Sequence, residues 1–196
     1  MSYMEGTMSN HLDYEINKEL GECYLFMGEL EKAEEYYKKA ANSNGVHPDP
    51  YLGLATIAVQ RGKLDEALVL YKKADTIESS DKALAGMGLI HMDRGNHKEA
   101  LEFFVRALEY NPDNMIAMSG MIQEGYALGC VADIVPMLIG SLEHDPNKDA
   151  VRFSLAGCLI WLGKNAEAME HLELLLEKDP ENEGARQLYE KANGAL

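Results

Sequence analysis

Five glycines, Gly28, Gly62, Gly95, Gly129 and Gly163, recur at spacings of 34, 33, 34 and 34 residues. A period of that length restricts a chain to stacked copies of one small unit, so it governs how every other residue is read. The segments around four of the glycines are alike: MGELEKAEEYYKKA, RGKLDEALVLYKKA, RGNHKEALEFFVRA and LGKNAEAMEHLELL. Each unit reads as two helices. In the second unit, Tyr51, Leu54, Ala55 and Ala58 share one helical face, and Leu64, Ala67, Leu68, Tyr71 and Ala74 share another. The recurring glycine ends the first helix, because it enters left-handed conformations at low cost. The pairs Asn111-Pro112, Asp145-Pro146 and Asp179-Pro180 end the second helix, because a residue before proline disfavours the helical basin. Helices of roughly 13 residues are marginal alone, so each hairpin must bury its face on the next.

The pattern resembles the tetratricopeptide repeat, with its W-x2-L-G-x2-Y, A-x3-F and P signature in about 34 residues. The first-helix pair stands here as Leu20-Gly21, Leu54-Ala55, Met87-Gly88, Met121-Ile122 and Leu155-Ala156. The alanine–aromatic pair is Ala33 with Tyr37, Ala67 with Tyr71 and Ala100 with Phe104, weakening to Ile134 with Leu138 and Ala168 with Leu172. Pro112, Pro146 and Pro180 hold the proline slot, which is Gly45 and Ser79 in the first two units. The resemblance implies an all-α, right-handed superhelical solenoid of five helix–turn–helix units. Expected boundaries are 14–47, 48–80, 81–114, 115–148 and 149–182, with a flexible segment at 1–12 and a capping helix at 183–196.

The fourth unit departs most. Ile122 and Ile134 fill small-residue slots, Gly125 replaces an aromatic, and wider local helix spacing is expected there. Pro136 belongs in the first turn of a helix, where no backbone bond is lost, so that helix is predicted to start late, with Asp133 as N-cap. Glu183 to Ala192, with Ala185, Leu188, Tyr189 and Ala192, reads as a final helix that shields the last hairpin.

Composition narrows the function. With 33 acidic against 18 basic side chains, the net charge of −15 argues against nucleic acid and anionic membrane surfaces as partners. The longest apolar runs, such as Ile134 to Ile139, are too short for insertion in a bilayer, and the polar start lacks the pattern of a signal peptide. A cytoplasmic location is the expectation. Three scattered cysteines make neither a disulfide framework nor a metal site. Cys23 and Cys158 are read as small apolar core filler.

The resemblance implies that first helices line a concave face. The pattern of groove-facing slots then gives a charged, mixed N-terminal end and an apolar C-terminal one, with Met92, Ile116, Tyr126, Phe153, Ile160 and Trp161. Between Arg106 and Lys148 there is no Lys or Arg, and six of the eleven methionines lie between Met87 and Met137. Such side chains are adaptable anchors for an amphipathic helix or extended peptide. Lys18, Glu22, Lys82 and Gln123 form a secondary polar set. The family's clamp for chaperone C-terminal carboxylates needs two lysines, two asparagines and an arginine. Lys18 and Lys82 match, but the remaining slots hold Glu22, Gly53 and Gly86, and an acid there repels a carboxylate. The clamp is rejected, and the two lysines are read as solvated.

No catalytic, nucleotide or metal motif occurs, so neither an enzyme nor a cofactor is expected. Gly86 and Gly88 lie within a helical pattern and are read as helix-packing notches. His91 and His97 flank Asp93 but are read as structural, and His144 and His171 as solvent-facing. The leading reading is a non-enzymatic module that binds a protein or peptide partner. The alternatives are a chaperone-like holder of a hydrophobic client, similar to secretion chaperones, and a homo-oligomeric scaffold self-associating through the fourth unit.

Overall fold

The computed structural model describes residues 2–43 and 46–194, with side chains described from His11 onward. Gly45, an expected unit end, lies outside the described residues. The described residues are helical apart from short turns. The hairpins are α1 (Ser2–Phe26) with α2 (Leu30–Ser43), α3 (Asp49–Gln60) with α4 (Leu64–Ile77), and α5 (Asp81–Asp93) with α6 (His97–Tyr110). They continue with α7 (Met115–Leu128) and α8 (Val131–His144), then α9 (Asp149–Trp161) and α10 (Asn165–Lys178), before a single α11 (Glu183–Asn193).

Both kinds of turn follow from local chemistry. Gly28, Gly62, Gly95, Gly129 and Gly163 all have φ between 70° and 76°. The amide after each glycine reaches the carbonyl five residues back at 2.9 Å, as Glu29 does to Tyr24 and Lys164 to Leu159. This closure satisfies carbonyls that a helix C-terminus leaves open. The turns between units use a side chain instead. The Asn111, Asp145 and Asp179 carboxyl or amide oxygens accept from the amide two residues on, at 3.0, 2.9 and 3.1 Å. Asn114 and Asn182 then cap the next helix by accepting from Ala117 and Ala185.

The chain forms two compact units, Met1–Met118 and Ser119–Leu196. In the first, α1 packs on α2 and α3, and each helix from α2 to α5 packs on its successor. The stacking is keyed by aromatic plugs in glycine notches. A Cβ on Gly53 would stand 2.3 Å from Tyr37 Cζ, one on Gly86 2.4 Å from Tyr71 Cζ, and one on Gly88 2.7 Å from Phe104 Cε1. Tyr37 also rests on Gly21, so it is gripped between α1 and α3. Asp81 accepts from the Asn111 and Asn114 amides at 2.8 Å each, tying the start of α5 to the turn after α6. In the second unit, α8 packs on α9, α9 on α10, and α11 on both α10 and α9, burying Ala185 and Ala192.

Several expectations need correction. Helix α1 begins at Ser2, so residues 2–12, expected as a segment outside the first unit, are continuous with its first helix; no proline interrupts it. Helix α8 begins at Val131, not after Asp133, and holds Pro136 inside it. Burial of Val131 and Ile134 anchors the first turn. Ala132 and Pro136 are both exposed, so the carbonyl deprived of its donor faces water. Ile134 finds room because Gly125 opposes it: a Cβ there would lie 2.7 Å from Ile134 Cδ1. Bulk and notch have exchanged helices in this hairpin.

Candidate partner-binding surface

The second unit gathers four of the six apolar residues named from sequence. Tyr126, near the end of α7, crosses to α9, where its ring meets Trp161 edge-on at 6.0 Å and 72°. Its hydroxyl donates to the Cys158 sulfur at 3.6 Å and passes beside Gly157, whose Cβ position would be in ordinary contact with the phenol oxygen at 3.6 Å. Burial first, and the thiol contact second, push the Tyr126 hydroxyl well above its ordinary range. Burial likewise pushes the Cys158 thiol up, which makes it a structural partner and not a nucleophile. The bond to buried Cys158 ties Tyr126 to α9, while the residue as a whole stays 37% exposed.

Trp161 is 51% exposed although it sits on this rigid support. Ile160 is half-buried beside it. Phe153 is half-buried too, with its ring edge 3.4 Å from a Cβ position on Gly184 of α11. The cap helix therefore takes part of Phe153, which serves the end of the array as much as any groove. In the first unit, Met92 is half-buried and Ile116 is 54% exposed.

The polar set is mostly exposed. Glu22, Lys82 and Gln123 are exposed. Lys18 is half-buried instead of solvated, because it donates to Glu15 at 2.8 Å and lies 5.8 Å over the Tyr14 ring. Tyr14 in turn donates to Asp49 at 3.3 Å. Gly53 and Gly86 lie buried under Tyr37 and Tyr71, so those clamp slots open onto helix packing and not onto ligand. His171 is also not solvent-facing: it is half-buried with the Arg152 guanidinium 3.4 Å from Nδ1. Burial, reinforced by that cation, lowers its pKa. The His91 ring packs on Phe103 at 5.2 Å. Among the described residues no three metal-capable side chains converge, and no helix is long and apolar enough to cross a membrane.

One exposure departs from expectation. Cys23 is exposed, whereas Cys158 is buried as expected. Phe26 is 94% exposed, more than any other large apolar side chain described. Its slot, two residues before the hairpin glycine, is the one Trp161 occupies in the fifth unit.

Helix hairpins repeated in series, keyed by glycine turns and aromatic plugs, define an all-α helical-repeat protein. Profiles of the tetratricopeptide repeat match residues 15–47, 81–114 and 131–192. The chain belongs to the tetratricopeptide repeat family. Repeats of this family are generally non-catalytic protein-interaction modules. The chain is 31% identical over 125 residues to the cattle BBSome complex member BBS4, covering 62% of this chain and 24% of that protein. Among solved structures, PilF of Pseudomonas aeruginosa superposes with a TM-score of 0.73 at 18% identity, over 92% of this chain and 82% of that one. YrrB, described as a tetratricopeptide-repeat protein with an unusual peptide-binding site, gives 0.66 at 18% identity, over 95% and 97%.

Proposed function

We propose that the chain is a binding module whose first helices receive an amphipathic helix or extended peptide of a partner protein, with the pair Tyr126 and Trp161 as principal anchor. The observation that carries this reading is the position of Trp161: half exposed, yet set edge-on against a tyrosine whose hydroxyl bonds the buried Cys158. A large aromatic fixed before the partner arrives loses little conformational freedom on binding, which is the property of an interface anchor. Ile160 extends the apolar surface beside it, and Met92 and Ile116 offer the same chemistry on the first unit. A peptide-binding site in YrrB is consistent with this use of the scaffold.

The test is capture of a partner on wild-type bait beside a Trp161→Glu variant shown to remain helical by circular dichroism. Trp161 is the better choice for substitution, because Phe153→Glu would also unseat α11. An anchor of this kind contributes about 2 kcal/mol, so the variant should bind roughly 30-fold more weakly. Equal capture by both baits overturns the reading.

A further inference from the structure

We infer that the outer face of α1 docks a cationic amphipathic helix supplied by another protein. This surface shares no residue with the Tyr126–Trp161 anchor. On α3, α5 and α9 the corresponding face is packed on the preceding second helix. Gly53 and Gly86 lie under Tyr37 of α2 and Tyr71 of α4. Ile57 clusters with Ala33 and Tyr37, and Ala83 with Ala74. Pro50, Ile90, Val151 and Cys158, which fill the same slots, are buried as well.

On α1 those slots hold Ile16, Glu19 and Cys23, and all three are exposed. Leu12, Phe26 and Met27 lie within the same arc of α1 and are 60%, 94% and 59% exposed, with Phe26 at its edge in the slot that Trp161 fills in the fifth unit. At 100° per residue the six side chains fall within an arc of about 100° and run for about 22 Å along the helix, enough for one partner helix to lie across them. This is a stacking face with no second helix on it among the described residues.

The chemistry of the occupant follows from Glu19. Where α3 and α5 offer a glycine notch to a tyrosine, α1 offers a carboxylate in the middle of an apolar stripe. An aromatic plug would bury that charge unpaired; a Lys or Arg flanked by apolar residues one turn away on each side would pair it. Glu15 and Glu22 border the stripe and add to the negative field, although Lys18 pairs with Glu15. A second copy fits poorly. Antiparallel α1 helices with Leu12 opposite Phe26 would set Glu19 against Glu19. The outer side of α11 presents Glu183, Arg186, Gln187, Glu190 and Lys191, which is too polar to cover Leu12 and Phe26.

The experiment uses the full chain and two synthetic helical peptides, each with a leucine stripe, one centred on a single lysine and the other on a glutamate. Fluorescence anisotropy should give the lysine peptide roughly tenfold tighter binding. Glu19→Lys should reverse the preference, Trp161→Glu should leave it unchanged, and the lysine peptide should protect Cys23 from maleimide. Circular dichroism checks that each variant stays helical. The inference is overturned if neither peptide binds, if Glu19→Lys keeps the preference, or if Trp161→Glu abolishes binding. It is also overturned if the protein alone scatters as a dimer with Cys23 already protected, which would make a second copy the occupant.

Discussion

One substitution, glycine to alanine, should change stability in opposite directions at two helical positions. At Gly140 in α8 nothing stands within 4 Å of the added Cβ. There the backbone effect acts alone, and a helix interior gains about 0.5–1 kcal/mol from the change. At Gly53 in α3 the same backbone gain applies, but the Cβ would lie 2.3 Å from Tyr37 Cζ and 2.4 Å from Cε2. Ordinary carbon contact is about 3.5 Å, so the ring would have to retreat by about 1 Å. Little room is left for that retreat, because the ring also lies close against Gly21, where a Cβ position stands 2.8 Å from Tyr37 Cδ1. Overpacking of this kind costs about 1–3 kcal/mol, which exceeds the backbone gain and leaves Gly53→Ala about 1–2 kcal/mol less stable. Urea unfolding followed by circular dichroism gives both midpoints. A Gly53→Ala midpoint equal to or above that of Gly140→Ala would refute the plug-and-notch account of stacking.

Further outcomes follow from single residues. Pro136→Ala should raise stability by about 1–2 kcal/mol, since it restores a backbone donor inside α8 and offsets that partly by a freer unfolded chain; thermal melts would show it. Asp81→Ala should cost about 1–3 kcal/mol, because two buried-side amide donors lose a charged acceptor. Burial alone would raise the Asp81 pKa, but the Asn111 and Asn114 bonds outweigh it and hold it below the ordinary value. His171 titrates lower in the folded chain than its ordinary 6.5. The unfolded chain therefore binds more protons just below that pH, so stability is full above about 6.5 and falls as the pH drops. His171→Gln should flatten that part of a stability-versus-pH curve.

The turns were legible because their causes are local. A glycine at positive φ and an Asx-Pro pair act through their own backbone, and every predicted helix end at such a residue is found there. Features that depend on a neighbour's presence were not legible. Cys23 and Cys158 occupy the same slot, and only the helix packed over Cys158 distinguishes buried from exposed. Pro136 points locally to a late helix start, but burial of Val131 and Ile134 overrides it. Glu124, which is almost fully buried, fills the slot of Ile57 and Ile90, and its sequence context gives no sign of that burial. Of the candidate surface, Tyr126, Ile160 and Trp161 could be named from their register in the repeat. The bond from Tyr126 to Cys158, 32 residues away, needs the packing of two hairpins to appear.

Trp161 is the single tryptophan of the chain, so its emission reports on one site. The most direct test of the proposed function is the fluorescence of the 196-residue chain titrated with a captured partner or its binding peptide. Burial of the half-exposed indole should shift emission to the blue and shield it from acrylamide, saturating at the stoichiometry of binding. A partner that binds fully while emission and quenching stay unchanged would contradict the claim that Trp161 is the anchor.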